Sequence, residues 1–335
     1  MSGERDLPRG GTLVVQTAFL GDVVLTTGLL SHLAERHGPV DVVTTRAAAG
    51  LLETHPAVRR VVAYDKRGAE RGLGGFWRKA GELRRERYAR AYLPHRSLRS
   101  AALALAAGIP ERIGFAGSPG SLSYTRSVSR PDGGHEAERI LALAEPMAGA
   151  VARVSLGLTE ADRALAAAWL DRHGVSEPFI ALAPGSIWGT KRWPGYAELI
   201  ARLEHRIVIV GGPEDQTLAA ELARTAPERV HVAAGALPLR ASAALLARAA
   251  LLVTNDSAPL HLASAVGTRV VAIFGPTIPG FGFGPRGGAD RIVELAGLAC
   301  RPCSSHGPAV CPLGHHRCMR DLRVEAVMEA VSGER

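Results

Sequence analysis

Aromatic residues are scarce. Phe, Trp and Tyr together make up 5% of the 335 residues, too few to build a stacking surface for nucleobases, and no nucleic-acid module motif occurs. No nucleic-acid partner is expected. Long apolar runs are missing too. The most apolar stretches, such as Ala101 to Ile109, fall short of the roughly 20 residues that cross a bilayer, and Met1 to Gly10 lacks a signal-peptide core. A cytoplasmic protein is the expectation. Cysteine is almost absent: all four residues, Cys300, Cys303, Cys311 and Cys318, fall in one segment with His306, His315 and His316. Disulfides do not suit a reducing compartment, so a structural zinc site and a set of reduced thiols are the two readings of that segment. The Walker spacing is also lacking, since Gly185 to Lys191 does not supply it, and Gly280-Phe281-Gly282-Phe283-Gly284 opens no helix.

What is present is the composition of a soluble globular enzyme, 47% hydrophobic and 21% charged. The length calls for two domains. The formal charge of +8 points to an anionic partner, with much of the excess between Arg59 and Arg99. Periodicity alternates strand and helix twice. Strands are expected near Thr12 to Gln16, Val40 to Thr45, Arg60 to Tyr64, Ala89 to Pro94 and Arg112 to Phe115. After a Gly/Ser/Pro-rich stretch and helices over Glu136 to Met147 and Glu160 to His173, a second series follows at Phe179 to Ala183, Arg206 to Val210, Val230 to Ala233, Leu251 to Asn255 and Arg269 to Phe274. The fold class expected is α/β, with two doubly wound Rossmann-like domains, residues 1–160 and 161–335, facing a central cleft.

In such sheets ligands bind beyond the carboxyl ends of the strands, where helix N-termini offer free N–H groups. Three strand exits carry suitable chemistry. Asn255-Asp256-Ser257-Ala258-Pro259-Leu260-His261 places polar groups at a helix start, readable equally as a phosphate site and as a helix cap with a packed histidine. Pro184-Gly185-Ser186 through Thr190-Lys191-Arg192-Trp193-Pro194 is a Gly/Ser loop carrying two cations, suited to phosphate unless the pair is simply solvated. Leu20-Gly21-Asp22 puts a carboxylate at the first strand exit, either a helix cap or a general base.

Together with Thr17-Ala18-Phe19-Leu20-Gly21-Asp22-Val23-Val24-Leu25-Thr26-Thr27, Leu93-Pro94-His95-Arg96-Ser97, Ala107-Gly108-Ile109-Pro110-Glu111-Arg112-Ile113-Gly114-Phe115 and Cys311-Pro312-Leu313-Gly314-His315-His316-Arg317-Cys318-Met319, these segments resemble the ADP-heptose-dependent heptosyltransferases of glycosyltransferase family 9. The resemblance runs through nearly the whole chain. It implies a GT-B fold, ADP-L-glycero-D-manno-heptose as donor, the heptose-bearing inner core of lipopolysaccharide as acceptor, and inversion at the anomeric carbon with no metal required for catalysis. It also implies roles. Asp22 matches the general base and Lys191 the phosphate-binding lysine. The nucleotide sugar is expected at Gly185, Ser186, Thr190, Lys191, Arg192, Asp256, Ser257, Ala258 and His261, with Glu214 near the ribose and Asp215 its competitor. A lipid-linked, phosphorylated acceptor is expected at Gly21, His95, Arg96 and Arg99, with transient contact at the cytoplasmic face of the inner membrane. Two departures stand out: Ala258 where the family commonly has Gly, and Gly28 in place of a frequent Pro, expected to alter helix stiffness. Other readings are a family 9 transferase with a different acceptor, a protein included, a nucleotide-sugar epimerase, and a non-catalytic nucleotide-sugar-binding protein.

Overall fold

The central strands form where the sequence is mostly apolar, the mark of a sheet covered on both faces. In the computed structural model, which describes residues 10–66, 68–145 and 150–333, the first six strands are β1 (Thr12–Gln16), β2 (Val40–Thr44), β3 (Val58–Ala63), β4 (Arg90–Leu93), β5 (Glu111–Phe115) and β6 (Arg126–Val128). All pair in parallel, in the order β3-β2-β1-β4-β5-β6. The next six are β7 (Phe179–Ala183), β8 (Arg206–Ile209), β9 (Val230–Val232), β10 (Leu251–Asn255), β11 (Val270–Phe274) and β12 (Arg291–Glu294), also parallel, in the order β12-β11-β10-β7-β8-β9. Each sheet is therefore wound outward from its middle in both directions. The winding reverses between β1 and β4 in the first sheet and between β7 and β10 in the second, and a doubly wound sheet opens its ligand crevice at that reversal.

Two compact units result, Met1–Gly157 and Leu158–Arg335. The border falls there because the segment leading to Gly157 packs on the first unit. Thr54 donates its hydroxyl to the Gly157 carbonyl, and the Ser155 N–H donates to Thr27 Oγ1 at 3.1 Å. Just beyond the border, Thr159 caps helix Glu160–Arg172 through the Asp162 N–H, and Asp162 accepts from Arg240 of its own unit at 3.1 Å. Gly28 has a role the resemblance did not convey. It is buried within helix Leu20–His37, and a Cβ there would stand 2.9 Å from Ala152 Cβ. Its lack of a side chain serves this packing rather than helix stiffness.

The cores are the apolar faces of the two sheets with their helices, one around Leu13, Val15, Val43, Leu93 and Leu103, the other around Leu182, Ile209, Val253, Val271 and Met319. The expected helix over Glu136 to Met147 is regular only over Glu136–Leu141, and its expected end lies outside the described residues. So does most of Met1 to Gly10. No helix among the described residues is long and apolar enough to cross a membrane.

Candidate active site

At the reversal point of the second sheet, the loops leaving β7 and β10 meet. Asn255, the last residue of β10, is fully buried and acts as the staple: its amide donates to the Pro184 carbonyl at 2.8 Å and its Oδ1 accepts the Trp193 N–H at 3.3 Å. The loop over residues 184–193 is thereby held at both ends. Within it Lys191 is buried, and its Nζ lies 2.6 Å from Asp256 Oδ2. That carboxylate oxygen also accepts the Thr277 hydroxyl at 2.7 Å. Asp256 is thus not the helix cap. It orients the lysine, and Ser257 takes the cap position of helix Ala258–Val266 with no side-chain cap bond. The first N–H groups of a helix lack intrahelical partners, so those of Ser257 and Ala258 join Lys191 as donors suited to an anion. His261, one turn along, is buried, with its ring edge-on to Phe283 at 6.2 Å.

The remaining residues of this group have divided duties. Ser186 Oγ accepts the Trp188 N–H at 3.2 Å, and Arg192, exposed, donates to the Ser186 carbonyl at 2.9 Å. Thr190 is buried and faces away, its hydroxyl donating to the Pro308 carbonyl and its own carbonyl meeting His316 Nε2 at 2.8 Å. Asp215 accepts the Gly212 N–H at 3.0 Å and is packed beneath the loop; burial foremost pushes its carboxyl upward. Glu214 is exposed beside it. Of the two, Glu214 is the more exposed carboxylate. Any side chain on Gly185 would run into the Asp215 carboxylate. Gly185→Ala should displace the loop and weaken ADP binding at least tenfold, read by calorimetric titration; an unchanged affinity would mean that the loop does not position Lys191.

In the first unit, Asp22 lies in the opening turn of helix Leu20–His37 and accepts the Phe19 N–H at 3.1 Å. It is both helix cap and candidate base, since one bond does not consume a carboxylate. Burial raises its pKa to about 6, assisted by the charge of Glu136 and opposed by the Phe19 bond. Gly21, beside it in the same turn, is buried. Across the reversal point, His95 follows β4, with Nδ1 3.5 Å from Thr17 Oγ1, which also accepts from Lys66 Nζ at 3.0 Å. Burial, then the Lys66 charge, lowers the His95 pKa to about 4, so the imidazole is neutral near pH 7. Arg96 is exposed, donating to the Gly117 carbonyl at 3.1 Å.

Arg99 differs from the acceptor-facing residue expected. It donates to Tyr64 Oη at 2.6 Å and to the Arg71 and Glu70 carbonyls at 2.9 and 2.8 Å, with its guanidinium over the rings of Tyr64 and Phe76. It braces a loop. Losing three hydrogen bonds and two ring contacts should cost roughly 2–4 kcal/mol, so Arg99→Ala is expected to lower the melting temperature. Arg96→Ala should raise the acceptor KM at unchanged melting temperature. The reverse pattern would exchange these assignments.

The cysteine-bearing segment serves a purpose its composition hid. Pro308 and His316 hold Thr190, Ala309 crowds Gly189, and Gly307 packs on the Lys191 side chain. It backs the lysine loop. Cys318 is buried, its thiol pushed up to about 11 chiefly by burial, and all four cysteines are free. Among the described residues no three His, Cys, Asp or Glu side chains are gathered to hold a metal ion. Cys300, Cys303, Cys311 and Cys318, readable as a zinc site or as reduced thiols, stand here as free thiols. The residues that sequence reasoning missed are Thr277, Asn255 as staple, and Thr17 with Lys66. Thr277 had a signal, since it follows the exit of β11, the strand beside β10.

A cavity of about 580 Å³ is lined by Pro178, Leu203, His205, Ala250 and Arg269, among others. These residues flank the amino ends of β7, β8, β10 and β11, opposite the loops just described, so it is not the crevice that the winding creates.

Two parallel sheets wound in this order, with a lysine-bearing loop and a helix start converging at one reversal point, define a glycosyltransferase of the GT-B fold. The fold is that of a family 9 glycosyltransferase from Veillonella parvula DSM 2008, with a TM-score of 0.85 at 23% identity over 98% of this chain and 97% of that one. It is also that of ADP-heptose lps heptosyltransferase II from E. coli, with a TM-score of 0.79 at 24% identity over 96% and 97%. The family model of glycosyltransferase family 9 (heptosyltransferase) matches residues 76–311; the chain is a member of that family. In sequence it is 27% identical over 343 residues to lipopolysaccharide heptosyltransferase 2 of Escherichia coli K12, spanning 96% of this chain and 97% of the relative.

Proposed function

We propose that the protein transfers heptose from ADP-L-glycero-D-manno-heptose to the heptose of the lipopolysaccharide inner core, inverting the anomeric carbon. The observation that carries the reading is the Lys191–Asp256 pair at the reversal point of the second sheet. A buried ammonium oriented by a carboxylate, beside the free N–H groups of a helix start, suits the diphosphate of a nucleotide sugar both when bound and when departing. Glu214 takes the ribose hydroxyls, and His261 borders the same loop. In the first unit Asp22 receives the proton of the attacking acceptor hydroxyl; a carboxylate poised near pH 6 is ionised at neutrality yet basic enough for that task. Neutral His95 donates or accepts a hydrogen bond to the acceptor sugar, while Arg96 meets its phosphate. Chemistry proceeds by one displacement through an oxocarbenium-like state, in which Lys191 and the Ser257 helix start stabilise the charge that develops on ADP.

Similarity to ADP-heptose lps heptosyltransferase II of E. coli supports the donor, and similarity to lipopolysaccharide heptosyltransferase 2 supports the acceptor class. The test offers ADP-heptose with two core acceptors, one ending in heptose and one lacking it, and reads the product mass. A gain of one heptose on the heptose-bearing acceptor alone is the expected outcome. Transfer only to the heptose-free acceptor, or only to a protein, would replace the acceptor assignment.

A further inference from the structure

Arg301 lies in the cysteine-bearing segment, yet its side chain is only 6% exposed. A guanidinium is a planar fork of N–H donors with no acceptor, so burying one requires several oxygens arranged around it. Here Nε donates to the Gly275 carbonyl, Nη1 to the Leu295 carbonyl at 2.6 Å, and Nη2 to the Thr277 carbonyl at 2.9 Å and to Glu294 Oε2 at 2.7 Å. Gly275 and Thr277 follow β11, while Glu294 ends β12 and Leu295 follows it. One planar group therefore clamps the exits of two paired strands.

Thr277 is buried, and its hydroxyl is the one that Asp256 Oδ2 accepts at 2.7 Å; the same oxygen lies 2.6 Å from Lys191 Nζ. Holding the Thr277 carbonyl fixes where that hydroxyl points, and the hydroxyl in turn helps to fix the carboxylate that orients the lysine. The Cys303 N–H adds a tie to the Pro276 carbonyl at 2.8 Å, and Met319 fills the space beside Gly275, where a Cβ would stand 2.7 Å from its Cε. Farther along the same segment, Pro308 and His316 hold Thr190, the residue before Lys191. The segment thus braces both the loop that carries the lysine and the strand exit that carries Thr277. Arg301→Lys would keep a charge for Glu294 but lose the fork that reaches the carbonyls together.

We propose that Arg301 is a positioning residue of the diphosphate site: by clamping the Thr277 carbonyl it seats the Thr277 hydroxyl on Asp256, and through that carboxylate it sets the Lys191 ammonium toward the ligand. Its relevance to transfer rests on the ADP-heptose reading given above, whereas the relay from Arg301 to Lys191 is a property of the protein alone. Arg301 acts through Thr277 and Asp256 and takes no part in bond making.

The test combines calorimetric titration with ADP and NMR of the full chain isotope-labelled at lysine Cε. The lysines of the chain are Lys66, Lys79 and Lys191 alone, so Lys191→Ala identifies the signal of interest. Arg301→Lys and Thr277→Val should each move that signal, leave those of Lys66 and Lys79 in place, and weaken ADP binding by about 3–10-fold, the worth of one neutral hydrogen bond. Thr277→Ser, which keeps the hydroxyl, should bind ADP as the wild type does. In the Lys191→Ala background neither Arg301→Lys nor Thr277→Val should weaken ADP binding further, since the group they act through is gone. A loss of the same size in both backgrounds would overturn the proposal. So would an unmoved Lys191 signal and unchanged affinity beside a lowered melting temperature, which would leave Arg301 a brace of the fold. Thr277→Val keeps the guanidinium contacts and reads the relay even if Arg301→Lys unfolds; unchanged ADP affinity in it would likewise overturn the proposal. No ADP binding by the wild type would remove the donor reading and not the relay, which would then stand or fall on the Lys191 signal.

Discussion

Asp22→Asn is expected to lower kcat by roughly 10²–10⁴, the range supplied by a positioned general base, while ADP affinity stays at the wild-type value. Asparagine retains an oxygen for the Phe19 N–H, which spares the helix start, but it cannot take a proton. The pH profile carries a second signature. Because burial raises the Asp22 pKa to about 6, the acid limb of kcat/KM should bend near pH 6 rather than near the ordinary value of 3.8, and the variant should lose that limb. Stability moves the opposite way. A carboxyl whose folded pKa is raised adds stability below its unfolded pKa and loses it as pH rises through the folded one. Asp22→Asn should therefore melt higher than the wild type at pH 8, with the difference closing toward pH 4. A variant with near-normal turnover would remove Asp22 from the role of base.

Lys191→Ala carries the second large effect, and it is twofold. Asp256 would remain buried with only the Thr277 hydroxyl as side-chain partner, and breaking a buried ion pair in this way costs about 3–5 kcal/mol. Loss of the charged donor should also weaken ADP binding by roughly 10–100-fold, corresponding to a charge-assisted hydrogen bond of about 1.5–3 kcal/mol. The two consequences separate in the double variant Lys191→Met/Asp256→Leu. Apolar replacements of similar volume remove both charges together, so the melting temperature should recover while ADP affinity does not. Recovery of both would make the pair a purely structural contact.

The central strands were legible because burial on both faces leaves an uninterrupted apolar run. Thr12–Gln16, Phe179–Ala183 and Leu251–Asn255 lie where such a run ends in Gly, Pro or polar residues. Two of the four edge strands, β3 and β9, were legible, and the other two were not. Arg126–Val128 and Arg291–Glu294 are short, partly exposed and begin with arginine, so neither period nor hydrophobicity marks them; their pairing comes from the neighbour strand. In the site, the residue types at strand exits announced Asp22, Lys191 and Asp256. Their partners did not follow from local sequence. That Asp256 grips Lys191 65 positions away depends on β7 and β10 becoming neighbours, which is a property of sheet order. The assignment of Arg99 fails for the same reason, since an arginine read as surface charge is consumed by carbonyls and rings that only the fold brings to it. Cysteine spacing likewise suggested a metal, whereas backbone carbonyls of that segment are what reach the lysine loop.

The most direct measurement is ADP release from ADP-heptose in the presence and absence of a heptose-bearing core acceptor, with the linkage of the product read by NMR. The expected result is release that depends on the acceptor, matches the heptosylated product one for one, and yields the inverted anomer. ADP-heptose binding with no acceptor-dependent release, or conversion of the sugar without transfer, would contradict it.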